Sequence, residues 1–118
     1  MKLRINKQSV RIRIDQDDLN TLSSTGSIKE VLGNETLGQF SYTLTTSNDS
    51  DLGLHFNQNS IIVYIPEQFM SEWANSDRVG FDAKFNGVDV LVEKDFKCLT
   101  DRPNEDESRN FDNPRQHH

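Results

Sequence analysis

The sequence predicts an α+β fold, a single domain in which a mostly antiparallel sheet of about seven strands carries two short helices packed on one face. Three observations lead there. Most apolar residues sit in short runs that alternate with polar ones, the period-2 pattern of half-buried strands. Two stretches, near residues 16–24 and 66–75, change to spacings of three and four, which is the period of an amphipathic helix. Finally, Asn86-Gly87 separates two alternating runs, and that dipeptide suits a type I′ hairpin turn because both central residues need positive φ. A mainly β architecture is the alternative reading of the same pattern.

Taken in order, Leu3 and Ile5 alternate with Lys2 and Arg4, and Val10, Ile12 and Ile14 alternate with Arg11 and Arg13. A turn at Lys7-Gln8 would pair Ile5 with Val10 and Leu3 with Ile12, and would set Arg4 opposite Arg11 and Lys2 opposite Arg13. One face of this ribbon is then apolar and the other cationic. Asp15 is placed to cap a helix, with Asp18 in the reciprocal position and Asp17 at the positive end of the helix dipole. Leu19 and Leu22 face inward, and Gly26 suits a left-handed terminator. Residues 27–32 read as a third strand ended by Gly33-Asn34.

Phe40, Tyr42 and Leu44 share one strand face, Leu52, Leu54 and Phe56 a second, and Ile61, Val63 and Ile65 a third. Turn-rich linkers at 47–50 and 57–60 suggest that these strands form an antiparallel meander. Pro66 suits a helix start, and Phe69, Met70 and Trp73 make an apolar stripe with Trp73 as a core anchor. Around Asn86-Gly87 the expected register pairs Phe85 with Val88, Ala83 with Val90 and Phe81 with Val92, with Lys84 opposite Asp89 on the solvent face. The sequence shows no internal repeat. The domain is expected to span 1–99, and 100–118 reads as an acidic C-terminal tail folded back upon it.

Composition narrows function more by exclusion than by assignment. A chain of 118 residues with 33% hydrophobic content can build one thin core. A net charge of -6 and a pI near 4.9 argue against nucleic acid and anionic membranes as partners. The opening Met1-Lys2-Leu3-Arg4 lacks the apolar core of a signal peptide, and a single Cys suits a reducing compartment, so the expected address is the cytoplasm. Glycine-rich phosphate loops, the dinucleotide fingerprint, the nucleophile elbow and the His-Glu-x-x-His pair are all absent from the sequence.

Two constellations remain. Lys2, Arg4, Arg11 and Arg13 concentrate positive charge in a segment with no acid before Asp15, which suits recognition of a phosphate, a carboxylate or an acidic protein surface. The bland reading is pairing with the chain's own carboxylates. Cys98, Asp101, His117 and His118 offer thiolate, carboxylate and imidazole, the ligand set of zinc, although no short Cys-x-x-Cys or His-x-x-x-His unit preorganises them. No cofactor is predicted, and zinc is the one those ligands would suit. Cys98 has no recognisable base partner for nucleophilic catalysis, and no catalytic residue is assigned.

Lys2-Leu3-Arg4-Ile5 with Ser9-Val10-Arg11-Ile12-Arg13-Ile14, and the closing Glu93-Lys94-Asp95-Phe96, Cys98-Leu99, Glu105-Asp106-Glu107 and Asn113-Pro114, resemble a family of short bacterial proteins of unknown function. The similarity runs over nearly the whole chain and includes Glu72-Trp73-Ala74-Asn75. No activity comes with it. The resemblance implies that relatives often carry a second Cys after the Asn-Pro, where this chain has His117 and His118, which favours the metal reading and removes a family-wide disulfide for this member. The expected function is a small non-catalytic cytoplasmic binding or interaction module, monomeric or dimeric, for a protein or small anionic ligand. The alternative is a metal-binding protein, with an open site allowing a metal-dependent enzyme.

Overall fold

The first and last turns signalled by the sequence form where their residues dictate, whereas the third strand runs on through Gly33-Asn34, its expected end. In the computed structural model, which describes residues 1–96, Lys7 and Asn86 adopt positive φ at 53° and 50° and close the first and last hairpins. The hairpin β1 (Lys2–Asn6) and β2 (Ser9–Ile14) pairs Ile5 with Val10 and Arg4 with Arg11, as read from the alternation. The hairpin β7 (Gly80–Phe85) and β8 (Val88–Lys94) pairs Phe81 with Val92 and Lys84 with Asp89. Between them lie α1 (Gln16–Thr25), β3 (Ser27–Asn34), β4 (Gly38–Ser47), β5 (Gly53–Asn57), β6 (Ser60–Pro66) and α2 (Glu67–Asn75). Residues 97–118, and with them the expected tail and its fold-back, lie outside the described residues.

The chain adopts the expected α+β class, but its strands form two mixed sheets, not one meander. Eight strands among the described residues are ordered β1-β2-β8-β7 and β3-β4-β6-β5, and the central pairs β2·β8 and β4·β6 are parallel. The expected step from β4 into β5 fails because β5 crosses to the far edge of its sheet and β6 takes the place beside β4. Burial explains the choice. Among strand residues, those almost wholly removed from solvent lie on the four central strands, among them Ile12, Ile14, Leu44, Val63, Ile65, Val90 and Val92, while the edge strand β1 is largely exposed. Placing the most apolar strands inside leaves β1, β3, β5 and β7 as the edges, and Lys2 and Arg4 on β1 discourage edge-to-edge pairing.

A repeat invisible in the sequence emerges from this topology. The succession β1-β2-α1-β3-β4 recurs as β5-β6-α2-β7-β8, and exchanging the two sets of labels turns one sheet order into the other. Val10, Ile12 and Ile14 then correspond to Ile61, Val63 and Ile65, and Leu19 and Leu22 to Met70 and Trp73. Matching backbone bonds support the equivalence. Asp89 N–H donates to the Gln8 carbonyl at 2.8 Å as Ser41 N–H does to Asn59 at 2.9 Å, and Lys94 donates to Val79 as Thr46 does to Gly26. Each sheet therefore combines one hairpin from each half.

The helices close the shared core. Asp15 accepts from the Asp18 N–H at 2.8 Å and Asp18 accepts in return from Asp15, the expected capping box, and Gly26 ends α1 at φ 84°. Trp73 is fully buried, donates from Nε1 to the Val79 carbonyl at 3.2 Å and meets Phe81 edge-on. Lys94 Nζ reaches the Ser76 carbonyl at the C-terminal end of α2, where a cation is favoured.

Asp18 does more than cap. Its carboxylate also holds the Met1 α-ammonium at 2.8 Å, and the Tyr42 hydroxyl donates to the Met1 carbonyl. Burial pushes the Asp18 carboxyl up, but its hydrogen bonds to the α-ammonium and from the Asp15 backbone outweigh this and leave it below its ordinary 3.8. A carboxylate with a depressed folded pKa adds stability above the unfolded value and loses it as pH falls through the folded one. Asp18→Asn should thus be less stable than the parent at neutral pH, and the difference should shrink once pH drops below 3.8. Urea titrations at several pH values check this. At Gly80 a Cβ would collide with the Val92 carbonyl oxygen and press on Glu93 Cα at 2.8 Å, so Gly80→Ala should cost about 1–3 kcal/mol, read as a lowered urea midpoint.

Candidate functional site

Alternation along β1 and β2 puts every cation of the opening segment except Lys7 on the outer face of the first sheet, because Leu3, Val10, Ile12 and Ile14 take the inner one. The parallel strand β8 then brings acids alongside. Arg13 lies opposite both Lys2 and Glu93, and Arg11 lies opposite both Arg4 and Leu91. Glu93 Oε1 is 3.0 Å from Arg11 Nε and 3.7 Å from Arg13 Nε, so one carboxylate faces two guanidiniums. The Arg11 and Glu93 atoms are shielded from water and lie off the line of a good hydrogen bond, which makes this contact a Coulombic pair.

Lys2 Nζ meets Asp95 at 2.6 Å, and the Asp95 N–H, bound to the Ile14 carbonyl at 2.8 Å, keeps that acid beside β2. Arg4 is exposed and has no ion pair among the described residues, although it stands across the ladder from Arg11. Lys84 and Asp89 form their own exposed pair at 3.7 Å on the same outer face, toward the β7 edge of the sheet. The result is a face with a cationic flank on β1 and β2 and the compensating acids on and just after β8. Such a face can bind an anion electrostatically.

Of the residues singled out from the sequence, Lys2, Arg4, Arg11 and Arg13 come together on this face. Cys98, Asp101, His117 and His118 lie outside the described residues. Among the described residues no three of His, Cys, Asp and Glu gather in a way that could hold a metal ion. His55 is exposed on β5, with Nε2 3.0 Å from Asn57 Oδ1. Sequence reasoning missed the carboxylates that hold the Met1 α-ammonium, Asp18 at 2.8 Å and Glu30 at 3.9 Å, because a terminal charge leaves no pattern in the side chains.

The chain belongs to a family of unknown function (DUF7009), whose model matches residues 1–115. No curated protein and no solved structure matches it. Among the described residues no helix is long and apolar enough to cross a membrane.

Removing Glu93 would leave two partly buried guanidiniums facing each other, whereas removing Arg4 would relieve repulsion at Arg11. Glu93→Gln is expected to lose about 1–2 kcal/mol, less than a fully buried pair because both partners keep some water contact. Arg4→Ala should stay within about 0.5 kcal/mol of the parent. Urea denaturation of both variants at low salt provides the comparison.

Proposed function

We propose that the chain, as a member of that family, is a small cytoplasmic binding module without catalysis, whose outer face on the first sheet recognises an acidic segment of a protein partner. The observation that carries this reading is Arg4, an exposed guanidinium opposite Arg11 with no carboxylate of its own among the described residues. Like charges opposed across a ladder are destabilising, and Glu93 already serves Arg11 and Arg13. An incoming carboxylate would relieve that repulsion.

The spread of cations over two adjacent strands, Lys2 and Arg4 on β1 with Arg11 and Arg13 on β2, favours an extended acidic segment over a single small anion. The overall charge of -6 disfavours nucleic acid, which draws on a surplus of cations. The acids on β8 add selectivity, because a partner placing its own acids over β8 instead of β1 would meet repulsion. The absence of a disulfide pair in a chain with one Cys supports the cytoplasmic address.

A fluorescein-labelled hexaglutamate peptide tests the reading by anisotropy. Binding should be salt-sensitive and fall about tenfold or more with Arg4→Glu, which converts attraction into repulsion at the contact. Equal binding by parent and variant, or amide shifts that bypass Lys2, Arg4 and Arg11, would refute it.

A further inference from the structure

The near-symmetry of the two halves makes their one large departure conspicuous. Past its core pair Ile28–Leu44, the β3–β4 hairpin continues through Asn34–Gly38, whereas the β7–β8 hairpin ends at Phe85–Val88 soon after Phe81–Val92. The neighbouring turns at Gln58-Asn59 and Lys7-Gln8 occupy equivalent places. The β3–β4 hairpin thus overhangs its neighbour by about two extra residue pairs, roughly 7 Å of strand. Against that step, on the outer face of the second sheet, lies a depression of about 520 Å³, within the range of small-molecule sites.

We propose that this depression is a binding site for a small hydroxyl-rich monocarboxylate, of which a sugar acid is the simplest kind. Its lining contains no carboxylate in a chain with 19 acids, and Lys29 is its one charged residue. That excludes a divalent cation, which needs anionic oxygens, and a polyanion, which needs several cations. Val31 is the one apolar residue of the lining, so the depression does not suit a hydrophobic ligand.

What remains is a dense set of neutral donors and acceptors. Ser41 and Ser60 are direct cross-strand neighbours, so their hydroxyls share the floor. Gln39, Gln58 and Asn59 line the depression, and their side chains make no hydrogen bond among the described residues. Asn57 is preset by His55. Its Oδ1 lies 3.0 Å from His55 Nε2, and in the tautomer with the hydrogen on Nε2 that oxygen accepts and the Asn57 amide nitrogen is left to donate. Hydroxyls that both donate and accept match this set, and Lys29 answers one carboxylate as a point charge.

The test is a titration of the full chain, followed by backbone amide shifts, with sodium glucuronate, glucose and sodium acetate as separate probes. Glucuronate should give saturable shifts at Lys29, Gln39, Ser41 and 57–60 and bind at least about tenfold more tightly than glucose or acetate. Asn57→Ala and Lys29→Gln, both on the exposed surface, should each weaken it about tenfold. Equal response to acetate would reduce the site to a lone charge and overturn the proposal. So would shifts confined to Arg4 and Arg11, unchanged affinity in both variants, or no saturation at about 10 mM.

Discussion

The constraint on which the rest of this structure depends is that neither half of the chain can finish a sheet alone. Each ββαββ half supplies two hairpins, and each hairpin has one strand whose inner face is largely apolar and whose second edge finds no partner within its own half. Backbone groups left without partners in a buried setting are costly, so the apolar strands must find neighbours. They find them across the halves, β2 with β8 and β4 with β6. The helices then close a core drawn from both sheets, in which Trp73 and Leu22 hold equivalent positions.

That pairing also determines where charge meets charge. Glu93 reaches Arg11 and Arg13 because β8 runs parallel to β2 in a register that puts outward residues side by side. The first sheet consequently presents a face where opposite charges are sorted by strand. The second sheet, built to the same plan, presents Ser41, Ser60, Thr43 and Tyr64 outward, with Lys29 at its edge. One repeated architecture thereby offers two surfaces of different chemistry, one rich in charge of both signs, the other lined mainly by uncharged polar groups.

Local structure was legible because local rules govern it. The Lys7-Gln8 and Asn86-Gly87 turns, the Asp15–Asp18 capping box, Gly26 and the Trp73 anchor all follow from residues close in sequence. Long-range order was not legible. Alternation in Phe40, Tyr42 and Leu44 says that a strand has an inner face but not which strand lies beside it, and sequential strands usually pair. The structural repeat hid because equivalent core sites hold different side chains, Leu22 against Trp73 and Leu19 against Met70, and because the hairpins differ in length. The cationic residues of the candidate site could be read from alternation alone, whereas the depression beside Gln39 and Asn57 depends on how far one hairpin outruns its neighbour.

The reciprocal exchange of hairpins makes the segment 48–52, which joins β4 to β5, the sole covalent link between two interlocked units. Topologically the molecule is a two-fold dimer written on one polypeptide, so its halves meet at an effective concentration set by those few residues. Stiffening or shortening that junction would leave every strand's preference intact while denying it the partner within its own chain. Two molecules could then satisfy each other by trading halves, which turns a change in connector length into a change of oligomeric state.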